Sequence, residues 1–221
     1  MALPGRNIVG TVFAGVGAFL PLFMVWRGGA EFLAAVTFGT LFSALFFLFR
    51  VEDIKKSATE FALVVSGLLY VPLLLGHLVL ARSLPYGIQW IFLLMVVVMS
   101  GDTGAYYVGS SLGRHKLYPL VSPNKSIEGA AGGLAGSLLG AFIARWTFFP
   151  ELPVADCLLT ALIIGPLGQV GDLFESLLKR SFGVKDSGTI IPGHGGMLDR
   201  LDSILFAAPA VYYYARYLFA G

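Results

Sequence analysis

The chain has 221 residues, is 57% hydrophobic and only 13% charged, and carries a formal net charge of +2. Water-soluble domains carry about 25% charged residues, so this composition excludes an ordinary soluble enzyme and points to an integral membrane protein. The nearly balanced charge gives no basis for a nucleic-acid partner, and the single cysteine, Cys157, excludes an internal disulfide.

A membrane-crossing helix needs about 20 mostly apolar residues. Seven stretches meet that test: 7–26, 30–50, 58–80, 86–108, 127–147, 155–178 and 200–219. The predicted fold class is therefore all-α and polytopic, with about seven transmembrane helices. The first stretch lacks a small-x-small cleavage site and a basic leader beyond Arg6, so it reads as a retained span rather than a secretory signal. Residues 1–82 form an N-terminal portion of about three spans with no diagnostic polar residues, and 83–221 form the expected catalytic portion with its loops.

Charge orients these spans. The N-terminus, 51–57, 109–126 and 179–199, with the adjoining span ends, hold 11 of the 15 Lys and Arg residues. Positive loops stay in the cytoplasm, so the N-terminus is predicted inside and the C-terminus outside. Short loops and the lack of soluble appendages suit a bacterial plasma (inner) membrane, with the polar loops facing the cytoplasm.

Asp102 lies in Ser100-Gly-Asp102-Thr103-Gly-Ala-Tyr106, within an apolar segment where an unpaired carboxylate is expensive. A role lining a binding site suits it better than a structural hydrogen bond. Next comes Ser122-Pro-Asn124-Lys125-Ser126-Ile-Glu128-Gly129. Lys125 and Ser126 could bind phosphate near a helix N-terminus, where free N–H groups favour anions. The same residues also read as a helix cap, with Glu128 in the first turn; the two readings are compatible. His115, just upstream, reads as a solvated loop residue, and His77 is given no role. Gly132, Gly136 and Gly140 repeat every four residues on the fifth span. That pattern marks a close-packing face, within one chain or in a homodimer.

The densest polar block runs from Ser176 to Asp202. Eight of its 27 residues are Asp, Lys, Arg or His, and such a block against a membrane marks function. Asp172, Glu175, Ser176 and Lys179 are spaced i, i+3, i+4, i+7, so they share one helix face. Asp199 and Asp202 share another. Between them lie Gly183, Gly188, Pro192, Gly193, Gly195 and Gly196, and glycine lets backbone approach a phosphate closely. Two carboxylate-bearing helix ends joined by such a loop suit a metal–phosphate site, since carboxylates hold hard cations and Lys and Arg hold phosphate. The alternative is a simple Glu175–Lys179 ion pair and a solvated connector.

The run Ser176-x-Leu178-Lys179-Arg180-x4-Lys185-Asp186-x-Gly188-x2-Ile191-Pro192-x-His194-Gly195-Gly196-Met197-x-Asp199-Arg200-Leu201-Asp202 resembles the signature of phosphatidate cytidylyltransferases, the CDP-diacylglycerol synthases. Gly171-Asp172-x2-Glu175, the Ser122–Gly129 stretch and Asp102-x3-Tyr106 are also similar to family features, so the resemblance covers residues 100–205.

The resemblance implies transfer of CMP from CTP to phosphatidate, giving CDP-diacylglycerol and pyrophosphate for phospholipid biosynthesis. Metal ligands are then expected at Asp172, Asp199 and Asp202, with Mg²⁺ as the default ion and room for a second cation. Lys179, Arg180, Lys185 and Arg200 are the candidate phosphate binders, and Asp186 and His194 complete the catalytic set. Ser122, Lys125, Ser126 and Glu128 are expected on the CTP side, while Ser176 and Asp102 suit either substrate. The alternatives are another CTP-dependent membrane lipid enzyme (a polyprenol kinase or an archaeal-lipid cytidylyltransferase) and, less favoured, a transporter. A transporter would spread ionisable groups along the depth of several spans; here they gather at one end.

Overall fold

A computed structural model describes residues 29–49, 54–188 and 196–219. In chain order the elements are α1 (Gly29–Phe49), α2 (Ile54–Leu68), a π-helical turn (Leu69–Leu73), α3 (Leu74–Arg82), α4 (Gly87–Leu112), strands β1 (Lys116–Tyr118) and β2 (Ser122–Ser126), α5 (Ile127–Thr147), α6 (Val154–Ser181) and α7 (Leu198–Tyr217). Six of the seven expected spans correspond to this helical series, whereas the stretch 7–26 lies outside the described residues. Among the described residues, four segments are long and apolar enough to cross a membrane: Ser57–Arg82, Gly87–Leu112, Ile127–Thr147 and Val154–Ser181. Helix α7 carries Asp199, Arg200, Asp202 and Arg216, which lower its apolar character.

The chain divides into two compact units, residues 1–80 and 81–221. In the first, Phe47 of α1 meets Phe61 of α2 edge-on. The predicted span 58–80 is helical throughout but is interrupted by the π turn, which contains Pro72. Proline has no N–H to donate to the preceding turn, and the widened turn takes up that defect.

The second unit is a bundle of α4, α5, α6 and α7. The glycine stripe on α5 lies against α4. A Cβ on Gly136 would stand 2.3 Å from the Ser100 carbonyl oxygen, so only glycine lets these backbones approach. The face is thus used within the chain. Ser137 Oγ donates to the Val97 carbonyl at 3.2 Å, and Gln169 Nε2 of α6 donates to the Ala130 carbonyl at 3.1 Å. These bonds satisfy polar groups that lipid could not. Large apolar side chains such as Phe92, Met99, Leu139, Trp146, Leu159 and Leu162 point outward and are exposed, which suits helices facing hydrocarbon.

One end of the bundle is aromatic. Trp90 and Phe149, both fully buried, stack edge-on at 5.1 Å, and Phe219 packs on each. Tyr214 of α7 donates its hydroxyl to Asp156 of α6 at 2.6 Å. The other end, where α4 and α6 finish and α5 and α7 begin, is charged. A two-stranded antiparallel hairpin, with Lys116 opposite Ser126 and Tyr118 opposite Ser122, caps it beside α6.

Candidate active site

Helix α6 delivers most of the charged groups because their spacing puts them on one face. Asp172 lies on the turn after Gly171, and Gly171 sits directly against α7. A Cβ there would stand 2.5 Å from the Asp202 carbonyl oxygen. Glycine at 171 therefore brings Asp172 and Asp202 onto neighbouring turns of two touching helices. Asp102 of α4 is close enough to feel the charge of both, and Lys125 partly offsets the three carboxylates.

The hairpin supplies that lysine. Lys125 Nζ lies 2.7 Å from Asp172 Oδ2. Ser176, one turn on, contributes a long hydroxyl contact of 3.4 Å to Asp172 Oδ1. The structure thus brings together Asp102, Lys125, Asp172, Ser176 and Asp202, from four separate elements.

One turn further along α6 is a second group. Lys179 contacts Glu175 of the previous turn and reaches Asp199 Oδ1 of α7 at 2.6 Å. The Glu175 side chain is wholly buried, and a carboxylate there needs a cation beside it. The ion pair left as the simple alternative therefore forms, but as one arm of a three-residue bridge between helices. Asp199 Oδ2 accepts from the Ser187 N–H at 2.9 Å, the Ser187 hydroxyl at 2.7 Å and the Gly196 N–H at 2.7 Å. Burial opposes the charge on Asp199, but the bonds from Lys179, Ser187 and Gly196 outweigh it and hold the carboxyl well below the usual carboxylate range. Ser187 carries no signal in the sequence, because its role depends on the loop fold.

Helix α6 ends in a Schellman motif. The Val184 N–H donates to the Lys179 carbonyl at 3.0 Å and the Gly183 N–H to the Arg180 carbonyl at 3.1 Å, with Gly183 at φ 67°. Gly183, one of the loop glycines, uses its freedom to adopt positive φ to cap the helix. Arg180, Lys185, Asp186 and Arg200 are exposed around this loop, and His194 lies outside the described residues.

The 122–129 stretch does more structural work than expected. Ser126 is nearly buried, and its Oγ accepts from the Gly129 N–H at 3.1 Å as the N-cap of α5. Glu128 turns back toward the hairpin, accepting from the Arg114 N–H at 3.1 Å, the His115 N–H at 3.2 Å and His115 Nδ1 at 2.6 Å. His115, read as merely solvated, is thus bonded on both backbone and ring. Its separation of 13 residues from Glu128 gives no periodic cue. Ser122 is half-buried at the start of β2.

Among the described residues, no three His, Cys, Asp or Glu side chains gather closely enough to enclose a metal ion alone. The arrangement is instead an open acidic cluster with lysines inserted into it, at one end of a helical bundle. Such a site suits a substrate that brings its own phosphate oxygens and counter-cation.

These features define a helical membrane protein with a mixed acid–lysine centre at one end of its helices. A family profile described as the cytidylyltransferase family matches residues 4–218. The chain belongs to the cytidylyltransferase family. It is 43% identical over 176 residues to the phosphatidate cytidylyltransferase of Bacillus subtilis (strain 168), covering 78% of this chain and 65% of that one. The Staphylococcus haemolyticus protein of the same name is 37% identical over 193 residues, covering 86% and 74%. That of Staphylococcus aureus (strain COL) is 44% identical over 135 residues, covering 61% and 52%. The chain thus spans between about half and three quarters of the lengths of these relatives.

Proposed function

We propose that this protein transfers CMP from CTP to phosphatidate, yielding CDP-diacylglycerol and pyrophosphate. The observation that carries the reading is the Lys125–Asp172 contact of 2.7 Å, which joins two motifs far apart in the chain at one charged centre. The names of the relatives supply the substrates.

A phosphate oxygen of the lipid attacks the α-phosphorus of CTP. The bond between that phosphorus and the oxygen bridging to the β-phosphate breaks, and its electron pair leaves with pyrophosphate. The nucleophile is already an anion, so no strong general base is required. The barrier lies in bringing anions together and holding them in line. Lys125 and Lys179, now paired with carboxylates, are placed to exchange those partners for phosphate oxygens. Arg180, Lys185 and Arg200, exposed at the rim, extend the positive charge toward the headgroup. His194 binds phosphate or shapes the glycine-rich turn, and Asp186 is a further candidate ligand for the metal. Ser122 and Ser176 add hydroxyl donors for the nucleotide.

Mg²⁺ suits an open acidic cluster of this kind, because it takes only a few protein carboxylates and completes its shell with phosphates and water. Asp172 and Asp202 would hold it, joined by Asp199 once Lys179 turns to phosphate. When bound, the ion neutralises the triphosphate and the departing pyrophosphate.

About seven spans with the N-terminus in the cytoplasm place the charged end on the inner face of the plasma membrane. There CTP arrives from water and the lipid from the side. Residues 83–221 are the catalytic portion. Purified protein given phosphatidate, Mg²⁺ and CTP labelled at either the α- or the γ-phosphate tests the reaction. Lipid carrying only the α label supports it, whereas lipid carrying the γ label means a kinase.

A further inference from the structure

The hairpin that carries Lys125 packs against α5 and α6, but its own strand pairing is slight. It has two short strands, of 3 and 5 residues, and an isolated two-stranded ribbon is marginal in water. Its base is closed by a different device. The Ile127 N–H donates to the His115 carbonyl at 2.9 Å, and the Glu128 carboxylate takes the N–H groups of Arg114 and His115 and the His115 ring. The ring contact, at 2.6 Å, is the shortest of these, and because an ionised carboxylate only accepts, Nδ1 is its donor. Lys125 lies three residues before Glu128, at the end of β2, with its ammonium on Asp172. Among the described residues, Glu128 and His115 are bonded to the hairpin base rather than to the acidic cluster. Glu128, expected on the CTP side, has its carboxylate on the hairpin base in this structure.

We propose that Glu128 and His115 are positioning residues, a clasp that fixes the hairpin so that Lys125 reaches Asp172 and, in turnover, the triphosphate. The kinetic consequence rests on the function proposed above; the structural consequence does not. Loss of the clasp frees the hairpin end, and the Lys125 amine spends more time in water. Each hydrogen bond to a charged group at a partly exposed site is worth a small factor in equilibrium, so the expected changes are about three- to tenfold.

The first test needs neither substrate. Detergent-purified protein is pulsed with an amine-acetylating reagent, and acetylation at each lysine is read by peptide mass spectrometry. Lys116, exposed on the same hairpin, is the internal reference. In His115→Ala, and more so in Glu128→Ala, the Lys125/Lys116 labelling ratio rises about three- to tenfold. In His115→Asn, whose amide can still donate to Glu128, the ratio falls back toward the parent. An unchanged ratio in both alanine variants overturns the proposal. So does an equal rise at Lys179 on α6, because the clasp would then hold the whole fold rather than the hairpin. In the transfer assay, His115→Ala raises the apparent KM for CTP while kcat stays within about twofold. A fall in kcat at unchanged KM contradicts a positioning role. Because labelling is read without CTP or lipid, failure of the clasp and failure of the transferase reading are distinguishable.

Discussion

Asp199 shows how a single acid can be a structural hub before it is anything else. It accepts four hydrogen bonds, from the Lys179 ammonium, the Ser187 N–H and hydroxyl, and the Gly196 N–H. Only its ionised form can accept all of them, so the folded carboxyl titrates below the unfolded one. The linkage sign follows. The stabilisation is fully present above the unfolded carboxylate value of about 4 and is lost as pH falls below it toward the folded value. Asp199→Asn therefore lowers the thermal midpoint in detergent at pH 7. The gap to the parent narrows between about pH 4 and the acid limit of folding. A gap that stays constant, or widens, on acidification would show that the charge on Asp199 does not hold the loop.

At the scale of elements, the charged centre depends on how closely α6 and α7 approach. Gly171 lies against the Asp202 carbonyl, where a Cβ would come within 2.5 Å of backbone oxygen. No side-chain rotation relieves that contact, so Gly171→Ala must push the helices apart. The expected cost is about 1–3 kcal/mol, typical of overpacking, together with a loss of transferase activity larger than the loss of folded protein. Gly67, with nothing within 4 Å of its virtual Cβ, is the matched control. A Gly171→Ala protein with parental activity and midpoint would remove the requirement for close approach.

The helices themselves were largely legible, because long apolar runs have few other solutions in a membrane. The fifth predicted span, 127–147, coincides with α5, and 155–178 falls inside α6. The shared face of Asp172, Glu175, Ser176 and Lys179 followed from helical period alone. The β hairpin did not. Its strands lack alternation, and Pro123 argues against a strand; pairing of Lys116 with Ser126 is a non-local fact. The same holds for the Glu128–His115 clasp and for Ser187 on Asp199, whose partners are set by loop folding rather than by spacing. One glycine and one serine of the motifs are seen in capping roles. Gly183 caps α6 and Ser126 caps α5, since helix ends must satisfy their own backbone groups first.

On the scale of the whole molecule, the bundle is polarised. The aromatic end joins Trp90, Phe149, Tyr214 and Phe219, and the charged end joins Asp102, Lys125, Asp172, Lys179, Asp199 and Asp202. A membrane enzyme for a charged nucleotide and a lipid needs this polarity, with one face in water and the flanks in hydrocarbon. In the proposed topology, which rests on the distribution of Lys and Arg, the charged end faces the cytoplasm. A C-terminal alkaline phosphatase fusion is accordingly expected to be active, and a C-terminal green fluorescent protein fusion dark under export conditions that quench it. The reverse pattern would invert the proposed topology.

The central claim is that Asp172, held by Lys125 and facing Asp202, is indispensable for moving CMP onto lipid. It is tested most directly by transfer from α-labelled CTP to phosphatidate, comparing the parent with Asp172→Asn at matched amounts of folded, membrane-inserted protein. The account predicts a loss of at least about a hundredfold in the variant, the scale of removing a group that holds transition-state charge. Labelled CDP-diacylglycerol formed by Asp172→Asn at the parental rate would contradict it.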